Sequence, residues 1–163
     1  MKQLSALYLV LLTLACLSAQ PLAGQQSRGP IPFSFQYAVK LLCTSNTPGT
    51  SGEDAGFLPG TYRTVVNIHN PLGRTVRIRE KIAPDIVAPT PFVGDLLKPD
   101  FVFRVDCTQL GPKFGIFPIH GLEGFLIIES TGSLDVTAVH MAGPRGGDVS
   151  SIAVEQVLER PTR

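Results

Sequence analysis

Three histidines, His69, His120 and His140, and three carboxylates, Asp106, Glu123 and Asp135, have the donor atoms for a metal site or for acid–base work. Such chemistry needs three or more of these groups at short spacing or gathered by a fold. Here each histidine stands alone in its own run, and no two lie at ligand spacing. The expectation is ordinary hydrogen-bonded histidines at strand ends, with no catalytic residue, no metal and no cofactor. Serine catalysis has no G-x-S-x-G elbow to rest on; the serines cluster in "STGS" and "DVSS", where hydroxyls serve local backbone groups. Glu123 and Glu129 share one strand face but lie three pleats apart, too far for a retaining carboxylate pair.

Arg63, Arg77, Arg79 and Lys81 form a basic row that could hold an anionic glycan. The simpler reading is a solvated sheet face, neutralised by neighbours such as Glu53 and Asp54. Tryptophan is absent, which disfavours sugar binding by stacking. "GPRGGD" opens no helix and follows no strand of a nucleotide-binding unit.

The elements that must position these side chains are short. Apolar runs at 33–43, 60–69, 74–83, 100–110, 122–130, 134–141 and 151–159 are mostly rich in Val, Ile, Phe and Thr. Proline, glycine, asparagine and serine separate them, the pattern of strands and turns. Seven such strands predict an all-β fold, a single antiparallel β-sandwich of immunoglobulin-like form. The last run also suits a helix, through Ile152, Gln156 and Glu159. "NPLG" (70–73) reads as a type I turn joining 60–69 to 74–83 as a hairpin, with His69 beside the turn. Val76, Ile78 and Ile82 then face the core, Arg77, Arg79 and Lys81 face water, and Glu80 is a charged exception on the apolar side. "TGS" predicts a second hairpin between 122–130 and 134–141, and "LEGFLIIES", apolar on both faces, belongs in a sheet interior. The connector 44–60 is polar. The connector 84–100 carries Ile86, Val87, Phe92, Val93, Leu96 and Leu97, to cover an open end of the sandwich or to offer an apolar contact surface.

Residues 1–19 have one early lysine, an apolar run and small residues, the layout of a signal peptide too short for a stable membrane span. Cleavage is expected after Ala19 or as late as Gly24, followed by a flexible segment 20–32 and the folded domain at 33–160. "TLAC" only loosely resembles a lipoprotein box, so Cys16 reads as part of the signal rather than as a lipid anchor. Cys43 and Cys107 remain, and an oxidising compartment pairs them most simply as one disulfide. Removing Lys2 with the signal leaves 13 basic and 13 acidic residues, a balance that disfavours nucleic acid and allows copies to associate.

"YRTVVNIHNP", "RIREKIA", "VDC", "GFLIIESTGSLDVTAVH" and "VSSIAVEQVLER" occur in an order that resembles a group of uncharacterised secreted bacterial proteins, over most of residues 33–160. The resemblance implies a small exported β-sandwich with cysteines at these two places, and no activity. The expected function is an exported structural or interaction module, binding a protein partner or itself. The competing expectation is a ligand- or metal-binding envelope protein using fold-assembled histidines, or a glycan binder using the arginine row.

Overall fold

The computed structural model describes residues 31–50, 56–117 and 121–162. The signal segment, Cys16, Glu53, Asp54 and His120 lie outside the described residues. The fold is all-β and antiparallel, with nine strands among the described residues where the sequence predicts seven. These are β1 (Phe35–Asn46), β2 (Gly60–His69), β3 (Val76–Pro84), β4 (Val93–Leu97), β5 (Val102–Asp106), β6 (Gly121–Ser130), β7 (Asp135–Gly143), β8 (Ser151–Gln156) and β9 (Arg160–Pro161). Two elements escape prediction for local reasons. β4 is the sequence "VGDLL" in a proline-punctuated connector, and β9 is only two residues long. The run 100–110 stops being a strand at Asp106. A 3-10 turn (Cys107–Gln109) and a short helix α1 (Leu110–Phe114) follow it. The last run is a strand, not a helix.

Hydrogen bonding follows the order β4-β3-β6-β1-β2-β7-β8, with β5 on β2 and β9 on β1. β6 runs between β3 and β1, the interior position its sequence predicts. Its outer face is nevertheless not covered, for Phe125 is exposed there. β2 is shared along one edge: β1 pairs with Gly60–Arg63 and β5 with Val65–His69, while β7 takes the other edge. Tyr37, Val39 and Leu41 of β1, Val76, Ile78 and Ile82 of β3, and Leu122, Leu126 and Ile128 of β6 are buried in one cluster with Val66, Ile68, Val105, Val136 and Ala138. Alternation of side chains puts all of them on inward faces.

Neither predicted hairpin forms. β2 does not pair with β3, and β6 does not pair with β7. Their short connections are crossings between different parts of the sheet; the β2–β3 crossing binds the end of β4 and the β4–β5 connection, and the β6–β7 crossing binds β3. The buried Asn70 side chain donates to the carbonyls of Arg74 (2.8 Å) and Leu97 (3.0 Å) and accepts from Leu72 N–H (3.0 Å). Its backbone carbonyl accepts from Asp100 N–H (2.9 Å), and its N–H donates to Phe101 (3.1 Å). The Asx bond from Leu72 N–H to the Asn70 side chain organises the bend at 70–73. At the β6–β7 crossing Thr131 N–H donates to the Arg77 carbonyl, and Thr131 Oγ1 accepts from Arg77 N–H. The real hairpins are the longer ones, β1–β2, β3–β4 and β7–β8.

Candidate functional site

The fold keeps His69 and His140 apart. Both face the β2–β7 ladder, where His69 opposes Asp135 and His140 opposes Thr64. Five residues of β7 separate them, roughly 16 Å of extended chain. His69 Nδ1 lies 3.1 Å from Asp135 Oδ2, at the strand end the sequence predicts. His140 Nδ1 lies 3.1 Å from Thr64 Oγ1, and its Nε2 lies 3.5 Å from Glu155. Glu123 pairs with Lys40, and Glu129 accepts from Arg79 Nε at 2.6 Å, so each carboxylate has a basic neighbour of its own.

The arginine row is not a bare solvated face. Arg79 lies 4.4 Å from the ring centres of both Phe33 and Phe92, Arg77 stacks on Phe33 and Lys81 on Phe92. Arg77 also donates to the Ile31 carbonyl. Cation–π contact of this kind clamps the residues before β1 and the β3–β4 loop over the outer face of β3. Arg63, on β2, is not part of the cluster. Beyond the clamp the same loop leaves Ile86 87% exposed, so this side chain does not cover the core.

Cys43 and Cys107 form a disulfide. Its placement follows from the shared edge of β2: Cys43 opposes Arg63, and Asp106 opposes Val65. The bridge therefore joins the end of β1 to the end of β5 where one replaces the other along β2. It also fixes the start of the segment 107–114.

That segment builds a feature no local motif announces. Asp106 Oδ1 accepts from Thr108 N–H (2.9 Å) and from its hydroxyl, which starts the 3-10 turn and holds the carboxyl below the usual carboxylate range. Leu110 and Phe114 anchor α1 in the core, and Gly115 ends it at φ 70°. Lys113 then points toward β3. Its Nζ lies 2.6 Å from Glu80 Oε2 and 3.9 Å from the Phe103 ring centre. Glu80 is 0% exposed, and burial raises its pKa; Lys113 opposes that rise and Asp95 adds to it. The Glu80–Lys113 distance is that of an ion pair, but the geometry is not that of an aligned hydrogen bond. Glu80 Oε1 and Oε2, Lys113 Nζ and Gln109 Oε1 are all buried without a hydrogen-bond partner among the described residues. Beside them opens a cleft of about 480 Å³ lined by Val93, Asp95, Phe103, Gln109, Pro112 and Lys113. The register explains its far wall: Asp95 opposes Ile78 and Val93 opposes Glu80, so all four face the same way. The one sequence signal for this site is Glu80 itself, a charge on an apolar face that requires a partner.

At the far end of the sheet, among the described residues, β8 pairs with β7 alone. All six of its residues are exposed, Ile152 at 64% and Val154 at 70%.

No protein-family model matches the chain, and no curated protein matches it. Among solved structures the chain is similar to the crystal structure of Thermotoga maritima 1070, with a TM-score of 0.52 and 12% identity. The match covers 76% of this chain and 91% of that one, and at this identity it concerns the fold alone.

Proposed function

We propose that the protein is an exported interaction module, a β-sandwich of immunoglobulin-like form, that extends its sheet through β8 onto a second copy of itself. On this reading β4-β3-β6-β1 and β5-β2-β7-β8 fold over a common core, with the short crossings at one end. The observation that carries the proposal is β8. Unpaired edges recruit other strands, and proteins usually blunt them with charge, proline or a bulge. β8 has Glu155 as its only charge, carries neither proline nor glycine, and presents two exposed β-branched residues, Ile152 and Val154, side by side on one face.

A second copy fits this edge by its own sequence. A two-fold axis perpendicular to the sheet keeps each face continuous, so a residue meets one of the same parity. With Ala153 on the axis, Ile152 meets Val154 of the second copy, and Ser151 meets Glu155. Apolar pairs face apolar pairs, and a hydroxyl donates to a carboxylate. Export is supported by the disulfide, since such bonds persist in oxidising compartments. Among the described residues no helix is long and apolar enough to cross a membrane.

The register is testable by substitution of Ala153→Cys. Directly opposed strand residues lie about 5 Å apart at Cα, within disulfide reach. Mild oxidation should yield a crosslinked dimer at protein concentrations where Glu155→Cys yields much less. Equal crosslinking at both positions, or none at either, contradicts the proposed pairing.

A further inference from the structure

We propose a second interaction surface, independent of β8: the outer face of β4-β3-β6-β1 docks on an anionic phospholipid membrane. The registers fix which side chains share that face. Arg77 opposes Leu96, Arg79 opposes Glu129, Lys81 opposes Ile127 and Ala83 opposes Phe125. On the other flank of β6, Ala38 opposes Ile127 and Lys40 opposes Phe125. Directly opposed residues point to the same side of a sheet, and the alternate residues of these strands are committed to the core. The outer face therefore has an apolar centre, Ile127 and Phe125 between two alanines, with cations on both flanks.

Charge identifies the occupant. Glu123 and Glu129 are the carboxylates at the outer positions of these strands, and Lys40 and Arg79 already pair with them. Arg77 and Lys81 have no carboxylate partner among the described residues. They rest on the Phe33 and Phe92 rings, and Arg77 also on the Ile31 carbonyl. Asp85, past the end of β3, still leaves the cations in surplus. A soluble polyanion would meet that surplus but has no counterpart for the apolar groups set among the cations. Phe125 is 43% exposed, Leu96 beside Arg77 is 64% exposed and Ile31 is 54% exposed. A layer of anionic lipid offers both: phosphates for the ammonium and guanidinium groups, and a glycerol–acyl boundary for phenyl and aliphatic groups. Stacking between Phe33 and Phe92 also holds Arg79 in place before docking, which limits the side-chain entropy lost on binding.

The test is cosedimentation with vesicles of phosphatidylglycerol and phosphatidylcholine, against vesicles of phosphatidylcholine alone, with retention on heparin as the polyanion comparison. The chain should sediment with the phosphatidylglycerol vesicles and stay in solution with the others. Arg77→Gln/Lys81→Gln should weaken vesicle binding about 30-fold, the loss of two cations at an anionic surface. If that pair fails to fold, Lys81→Gln alone takes its place and should weaken binding about fivefold. Phe125→Ser should weaken binding with the charge unchanged, and Arg63→Gln, on β2 and outside the cluster, should leave it as it is. Absence of binding to phosphatidylglycerol vesicles, or equal binding to phosphatidylcholine alone, overturns the proposal. So does binding that the folded Lys81 variant leaves unchanged, or that Arg63→Gln weakens as much. Retention on heparin without vesicle binding assigns the face to a soluble polyanion and overturns it as well.

Discussion

At the scale of single residues, Glu80 and Lys113 carry the largest local electrostatic consequence. Removing one partner of a buried pair leaves an uncompensated charge, at a cost of about 3–5 kcal/mol. Lys113→Met should therefore lower stability by that order at neutral pH, measured by urea unfolding. The pH dependence has a definite sign. The folded pKa of Glu80 is raised, so the folded state holds the proton more tightly than the unfolded chain does. Its stabilising contribution is complete below the unfolded value and is lost as pH rises through the raised one. Without the opposing ammonium the rise is larger, and the deficit of Lys113→Met should shrink on acidification from neutral toward pH ~5. Glu80→Gln should flatten that stretch of the profile. Asp106 acts with the opposite sign: its lowered pKa gives stability present above the unfolded value and lost only as pH falls through the lowered one. A Lys113→Met protein as stable as the wild type at neutral pH would contradict the buried pair.

At the scale of elements, the positions where strands approach and cross hold the most information. Gly124 opposes Pro84 across the β3–β6 ladder, and a Cβ there would run into the Ala83 carbonyl and lie 2.8 Å from Pro84 Cα. Gly124→Ala should cost about 3 kcal/mol as overpacking in a ladder that cannot part, whereas Gly94→Ala, with its nearest neighbour at 3.9 Å, should cost far less. Asn70→Ala should cost about 2–3 kcal/mol by stranding buried carbonyls. Thermal unfolding of the three variants checks that order. Alternation and β-branched composition make most strands legible, and they place Arg77, Arg79 and Lys81 opposite Val76, Ile78 and Ile82 as found. Partners are not legible in the same way. A short turn signal such as "NPLG" fits a hairpin and a crossing equally, and only the long-range bonds of Asn70 to Leu97, Asp100 and Phe101 decide between them. The cleft is hidden for the same reason. Lys113 is 33 residues from Glu80 in sequence, and "GPKFG" carries no pattern that points to a carboxylate on another strand.

At the scale of the whole molecule, one covalent link and one open edge define the account. The Cys43–Cys107 bridge spans a sequence separation of 64 and joins β1 to β5 along β2. On the loop-entropy model its loss costs about 4 kcal/mol, and the paired change to serine should lower the urea midpoint to match. An unchanged midpoint would mean that the bridge adds nothing to the fold. The open edge is the central claim, and static light scattering of the wild type and of Ile152→Lys/Val154→Lys across a protein concentration series tests it most directly. The account predicts a wild-type mass that rises from one chain to two and a variant that stays at one chain. A wild type that remains monomeric throughout, or a variant that dimerises equally well, would contradict it.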